Sequence, residues 1–281
     1  MLANKAWSCR TPLTANTEQS LAITHINASL GEFSCHLLEG VTGSGKTEVY
    51  LQAIAAALAR QEQTLVLIPE IGLTPQLVQR FNERFDAPIV TLHSGLGTAE
   101  RDRNWQAARS GQAAIIIGTR SAVFAPMLTP GLIIVDEEHD SSFKQEDLFN
   151  FSARDMAIIY GKIAQCPVVL ASATPSIESF YNYKIHKYKH FHLESKFFAK
   201  ENKIDIVDLK NYKDFKKNPI SPALKTAIKE TLNNQRQVLL FLNRRGYAPL
   251  AICNKCGNKQ KCLNCDFHLV FHKSKNILVC H

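Results

Sequence analysis

The chain has 281 residues, 45% of them hydrophobic, and a formal net charge of +8. That apolar content excludes a disordered chain and supports a sizeable core; the length suits one large domain with parts of another. No apolar run approaches the ~18–20 residues that a membrane span needs.

The charge is unevenly placed. Residues 1–183 hold 13 Lys/Arg against 18 Asp/Glu, a net of −5, whereas residues 184–281 hold 20 against 7, a net of +13. The basic part fits either a polyanionic partner or a solvated lysine face. Residues 1–13 read as a linker; Trp7-Ser8-Cys9-Arg10 is not a secretory apolar region, so a cytoplasmic protein is expected. Apolar positions 21, 23, 26 and 30 predict a helix over 18–30. Residues 35–39 predict a strand, and 48–60, free of interior Gly and Pro, a helix. Thr64 to Ile68, ended by Pro69, is the continuous apolar run of a strand buried on both faces of a parallel sheet. Helices near 74–85 and 99–109 precede strands at 88–92 and 113–117, and strands at 132–136 and 167–171 flank a helix near 153–164. This alternation predicts an α/β, doubly wound parallel sheet, with ligands outside the carboxyl ends of its strands. Gly40, Pro69, Gly118, Asp136 and Ser172 all fall at such ends. From 181 to 220 the pattern weakens, with short strands expected at 189–194 and 204–208, and the stretch reads as a connection between two lobes. Ser221-Pro222 opens a helix to about 234, and Val238 to Leu242 predicts a strand of a second α/β unit.

Gly40-Val41-Thr42-Gly43-Ser44-Gly45-Lys46-Thr47 lies between a predicted strand and a helix, the context of a phosphate-binding P-loop. Glycines let the backbone wrap an anion with its N–H groups pointing inward at a helix N-terminus. Lys46 can reach the β- and γ-phosphates of ATP, and Thr47 offers a hydroxyl to Mg²⁺. A turn that merely caps a helix explains the glycines but not the adjacent Lys-Thr. Asp136-Glu137-Glu138-His139 follows a buried strand about 90 residues later. Such an enzyme needs one acid to hold Mg²⁺, the role that fits Asp136, and a second to orient and deprotonate water, which fits Glu137. Glu138 and His139 are placed to couple the nucleotide site to its surroundings. Five of the eight cysteines lie after residue 250. Cys253-x₂-Cys256 and Cys262-x₂-Cys265 have zinc-pair spacing, and the simple reading puts all four on one Zn²⁺. Cys9, Cys35 and Cys166 read as ordinary thiols, the latter two in the core.

The P-loop, the Asp-Glu-Glu-His run and Ser172-Ala173-Thr174 resemble motifs I, II and III of superfamily 2 helicases. Thr17-Glu18-Gln19, residues 69–76, His93-Ser94-Gly95-Leu96, residues 118–122, 136–145 and 241–249 narrow the likeness to the primosomal protein N′ family of replication-restart helicases, over residues 14–281. The resemblance implies a RecA-like first lobe over 14–182, an inter-lobe connection over 183–220, the start of a second RecA-like lobe over 221–250, and an incomplete zinc-binding insert over 251–281. It implies an ATP-dependent 3′→5′ DNA helicase that acts as a monomer on forked and single-stranded DNA, with primosome proteins and single-strand-binding protein as partners.

By the same resemblance Gln19 contacts adenine, while Pro69, Glu70 and Arg120 meet the single-strand backbone. Ser172 and Thr174 relay nucleotide state to the DNA side; their residue types also suit a cap for a helix near 175–180. Phe143, Lys144, Phe149, Phe151 and Arg154 match an aromatic-rich loop linking DNA binding to hydrolysis. Rings with interleaved basic groups suit stacking and phosphate contact, and the polar stretch 144–147 predicts that this loop is exposed. The family's two-zinc pattern would join Cys262 and Cys265 to Cys280 and a further cysteine. The family's N-terminal DNA-binding region and later second-lobe motifs are not matched, so ATP binding with weak turnover is expected of a fragment. Two other readings remain: a superfamily 2 translocase of repair or restriction, and an inert DNA- or partner-binding module.

Overall fold

The computed structural model describes residues 7–69, 75–145, 149–195, 204–208, 220–241, 259, 260, 262, 269–272 and 277–279. The chain divides into two units, Met1–Asn202 and Lys203–His281.

In the first unit the elements run β1 (Ser8–Cys9), α1 (Thr17–Ala28), β2 (Cys35–Gly40), α2 (Lys46–Ala59), β3 (Gln63–Leu67), α3 (Pro75–Arg84), β4 (Phe85–Asp86), β5 (Ile89–Leu92) and α4 (Thr98–Arg109). They continue as β6 (Ile115–Gly118), β7 (Pro130–Asp136), β8 (Lys144–Gln145), β9 (Phe151–Ser152), α5 (Ala153–Ala164), β10 (Val168–Ser172), α6 (Ile177–Lys184) and β11 (Lys189–Leu193). Seven strands form one parallel sheet in the order β11-β2-β10-β7-β3-β6-β5. The continuous apolar runs are explained by cover on both faces. Along β7, Leu132 and Ile134 pack with Ile26 of α1 and Val49 and Ile54 of α2. Ile133 and Val135 point the other way, into a core shared with Ala108 of α4 and Ala157 of α5. Because every strand runs the same way, Gly40, Leu67, Gly118, Asp136 and Ser172 end on one edge, as the sequence pattern requires.

The short strand expected at 189–194 is found as β11, but it pairs with β2 and completes the edge of the main sheet instead of lying within a connection between lobes. An edge strand is covered less than a central one, so polar Lys189, His190 and His192 are interspersed with apolar Phe191 and Leu193.

In the second unit, Ser221 caps α7 (Pro222–Asn233), its hydroxyl accepting from the Leu224 N–H; β12 (Val270–His272) and β13 (Ile277–Val279) pair antiparallel. The strands expected at 204–208 and 238–242 are not found at 204–208 or 238–241. Leu239, Leu240 and Phe241 stand exposed. An apolar run becomes a strand only by pairing, and among the described residues nothing pairs with it. Among the described residues no helix is long and apolar enough to cross a membrane.

Candidate functional site

The chain leaves β2 at Gly40 and enters α2 at Lys46 through a turn in which Gly43 and Gly45 both hold φ +83°. That left-handed backbone strains any residue with a Cβ, which is why the loop is spelled with glycine. Lys46 is buried in the first turn of α2, and its Nζ donates to the Gly40 carbonyl at 2.5 Å. The cation is thereby folded over its own loop, beside the N-terminal N–H groups of the helix.

Gln19 is fully buried. It forms a capping box with Asn16: its Oε1 accepts from the Asn16 N–H at 2.9 Å, and the Gln19 N–H donates to Asn16 Oδ1 at 2.8 Å. Its Nε2 donates to the Ser44 carbonyl at 2.9 Å. Gln19 therefore pins the start of α1 to the glycine loop rather than standing free on a helix surface.

Asp136 ends β7 two strands away from β2. Its Oδ1 accepts from the Glu137 N–H at 3.1 Å, and its Oδ2 from the Tyr50 hydroxyl at 3.1 Å. The same hydroxyl lies 3.3 Å from Thr47 Oγ1. Burial, and then the Glu137 charge, push the Asp136 carboxyl above the usual carboxylate range, against a smaller pull from Lys46.

Lys46, Thr47, Asp136 and Glu137 line one cavity of about 670 Å³, together with Leu13 and Gln19. The donor set fits Mg²⁺ and a triphosphate: a hydroxyl and a carboxylate line one cavity, with a lysine and the N-terminus of a helix beside them. Glu137 holds φ +50°, a left-handed conformation costly to a residue with a Cβ and characteristic of functional sites.

The rest of the acidic run points away from the cavity. His139 Nδ1 lies 2.8 Å from Ser172 Oγ, which accepts from the Thr174 N–H at 2.9 Å. The ends of β7 and β10 are thus tied, and Ser172 and Thr174 do not cap α6; Ser176 does. Glu138 is buried. Its Oε1 accepts from the Ser176 N–H at 2.7 Å, and its Oε2 from Ser176 Oγ at 2.9 Å, Ser179 Oγ at 2.8 Å and Arg154 Nη1 at 3.3 Å.

Two expected loop residues depart from the sequence reading. Phe143 is 1% exposed, within the core under α5, and offers no face for stacking. Arg154 lies buried in the first turn of α5, engaged with Glu138, Ser176 and Asp155. Polar neighbours in sequence suggested exposure, but both side chains are buried once the chain folds, Phe143 in the core and Arg154 against Glu138 and Ser176. The exposed aromatic group is Phe149, 64% exposed, whose ring lies 5.9 Å from Phe151, itself 5.1 Å from Phe124.

Arg120 Nη1 donates to the Lys144 carbonyl at 2.8 Å, Lys144 is exposed, and Pro69 is buried at the end of β3. Glu70, Cys253, Cys256, Cys265 and Cys280 lie outside the described residues. Cys262 is half-buried, Cys35 and Cys166 are in the core, and among the described residues no three His, Cys, Asp or Glu side chains gather as a metal site.

Sequence reasoning missed Tyr50, Ser176 and the pair Glu48–Arg84. Tyr50 was within reach of it: three residues beyond Thr47 on a helix, it falls on the same face.

Residues 16–182, more than half of the chain, match the family model for DEAD/DEAH box helicases. The chain is 47% identical to the replication restart protein PriA of Haemophilus influenzae, over 96% of this chain and 37% of that protein. It is 38% identical to PriA of Bacillus subtilis, over 96% of this chain and 34% of the relative. The chain thus spans little more than a third of the length of these relatives. The crystal structure of the DUF1998 helicase MrfA bound to DNA and AMPPNP superposes with a TM-score of 0.54 at 15% identity, over 86% of this chain and 38% of that one, a likeness of fold.

Proposed function

The chain belongs to the DEAD/DEAH box helicase family, and from that premise we propose that its first unit is the ATP-binding lobe of a replication-restart DNA helicase. The observation that carries the reading is the convergence of Lys46, Thr47, Asp136 and Glu137 on one cavity at the carboxyl edge of the sheet.

In this reading the glycine loop and Lys46 hold the β- and γ-phosphates. Thr47 and Asp136 hold Mg²⁺, which when bound neutralises phosphate charge. Glu137 orients a water and accepts its proton. Leu13, Thr14 and Gln19 form the wall against which the base rests. Hydrolysis is coupled to 3′→5′ movement on single-stranded DNA. The tie from His139 to Ser172, and that from Glu138 to Ser176, carry nucleotide state across the β7 and β10 ends towards Arg120, Lys144 and the exposed Phe149. The paired cysteines after residue 250 hold Zn²⁺, and primosome proteins and single-strand-binding protein are partners of the whole protein, a cytoplasmic monomer. Replication restart is the role named in the PriA relatives.

Titration of a fluorescent ATP analogue with Mg²⁺ tests this. Wild type binds, Lys46→Ala loses at least tenfold in affinity, and Glu137→Gln retains binding while DNA-stimulated hydrolysis falls. Equal weak binding by wild type and Lys46→Ala would leave an inert module as the better description.

A further inference from the structure

A phenol hydroxyl buried in an apolar core needs partners, because leaving it unbonded costs more than a typical hydrogen bond returns. Tyr50 is 1% exposed and among the largest fully buried side chains of the chain. Its ring fills the core between α2 and the sheet, a task phenylalanine performs equally well. The hydroxyl is the part that packing leaves unexplained. It donates to Asp136 Oδ2 at 3.1 Å, across 86 residues of sequence, and sits 3.3 Å from Thr47 Oγ1 on its own helix.

We propose that Tyr50 is a positioning residue for Mg²⁺, holding the Thr47 hydroxyl and the Asp136 carboxylate in the relative placement the cation requires. The inference rests on the nucleotide reading of the cavity. With Oδ1 held by the Glu137 N–H and Oδ2 by Tyr50, the plane of the Asp136 carboxylate is set by two donors, one on each oxygen. The lone pairs not so used remain for a cation. Thr47 is tied to the same hydroxyl, so one phenol oxygen registers the P-loop helix against β7. Such outer partners commonly change metal affinity by about 10–100-fold when removed.

Tyr50→Phe removes the hydroxyl and keeps the ring. Binding of a fluorescent ATP analogue is measured with EDTA and across a Mg²⁺ series, with the thermal midpoint of each protein recorded. The expected result is metal-free binding within about twofold of wild type, and a half-saturating Mg²⁺ concentration raised about tenfold or more. Mn²⁺ titration followed by paramagnetic resonance, in the presence of the nucleotide, gives the same comparison without an activity assay. Superimposable Mg²⁺ curves overturn the proposal. So does an equal loss in EDTA and in Mg²⁺, which marks a packing role only. A wild type that binds nucleotide in neither condition instead refutes the nucleotide reading, and this inference falls with it.

Discussion

Glu138 accepts four hydrogen bonds with its side chain out of solvent, and the Arg154 guanidinium supplies the only cation among those donors. Taking such a pair out of water gains little over apolar packing, but removing one partner strands the other's charge and costs roughly 3–5 kcal/mol. Arg154→Met is therefore expected to destabilise the first unit by about that much, read as a lower urea midpoint with an unchanged slope. Glu138→Gln should cost less, because the two serine donors keep an acceptor. The double variant should be more stable than the sum of the singles predicts; strict additivity would refute the coupling. His36 is a second buried polar group with a thermodynamic signature. Burial, and then the charges of Lys189 and His25, push it down to about 3 from an unfolded value near 6.5. Between those values the unfolded chain binds the proton and the folded one does not. Stability is therefore full above pH ~6.5 and falls progressively towards pH 3, by at most roughly 5 kcal/mol. Urea midpoints at pH 7.5 and 5 should differ more for wild type than for His36→Gln. Equal differences would exclude His36 as the source.

At the scale of elements, the segment before α1 is fixed by the P-loop helix itself. β1 pairs with β4, the Arg84 guanidinium donates to Glu48 Oε1 at 2.6 Å, and the Leu13 N–H donates to the same oxygen at 3.2 Å. Gln52 Nε2 bridges Glu48 Oε1 and the Leu13 carbonyl, 2.9 Å from each. Held on both sides of its peptide, Leu13 keeps its side chain 69% exposed while lining the cavity. An exposed leucine costs little by itself, but one lining the same cavity as Lys46 gives an apolar wall to a flat ligand. Leu13→Ala is expected to weaken ATP binding about fivefold, the equivalent of roughly 1 kcal/mol of apolar contact, while leaving inorganic tripolyphosphate unaffected. Competition of the two ligands against a fluorescent analogue separates the outcomes. Parallel losses for both would assign Leu13 to the loop's shape instead of to the base.

Over the whole molecule, what could be read in advance was whatever local pattern determines. The runs at 65–68, 132–135 and 168–171 are apolar at every position because the sheet is covered on both faces, and Lys46 and Asp136 follow from strand-end spacing. The remainder depends on contacts between residues far apart in the chain. The strand at 189–193 was legible but its pairing with β2 was not, Phe143 is buried by elements that its polar neighbours do not reveal, and Tyr50 finds its partner 86 residues away. Val238 to Phe241 has the composition of a buried strand without one to pair with among the described residues. The same long-range wiring makes the cavity a reporter on the stability of the first unit. Every residue lining it lies between Leu13 and Glu137, and those residues stand on α1, α2, α3 and β7 or on the segments that join them to the sheet. A ligand that binds only the folded form adds about 2.7 kcal/mol at a hundredfold excess over its Kd. For a unit of this size that raises the midpoint by roughly 5–10 °C. Calorimetry with Mg²⁺ and ATP should show that rise in wild type and its loss in Lys46→Ala, whose own unliganded midpoint stays within a few degrees because one loop hydrogen bond is removed. A midpoint in wild type that ignores saturating nucleotide would mean that the cavity, whatever its shape, is not where ATP acts.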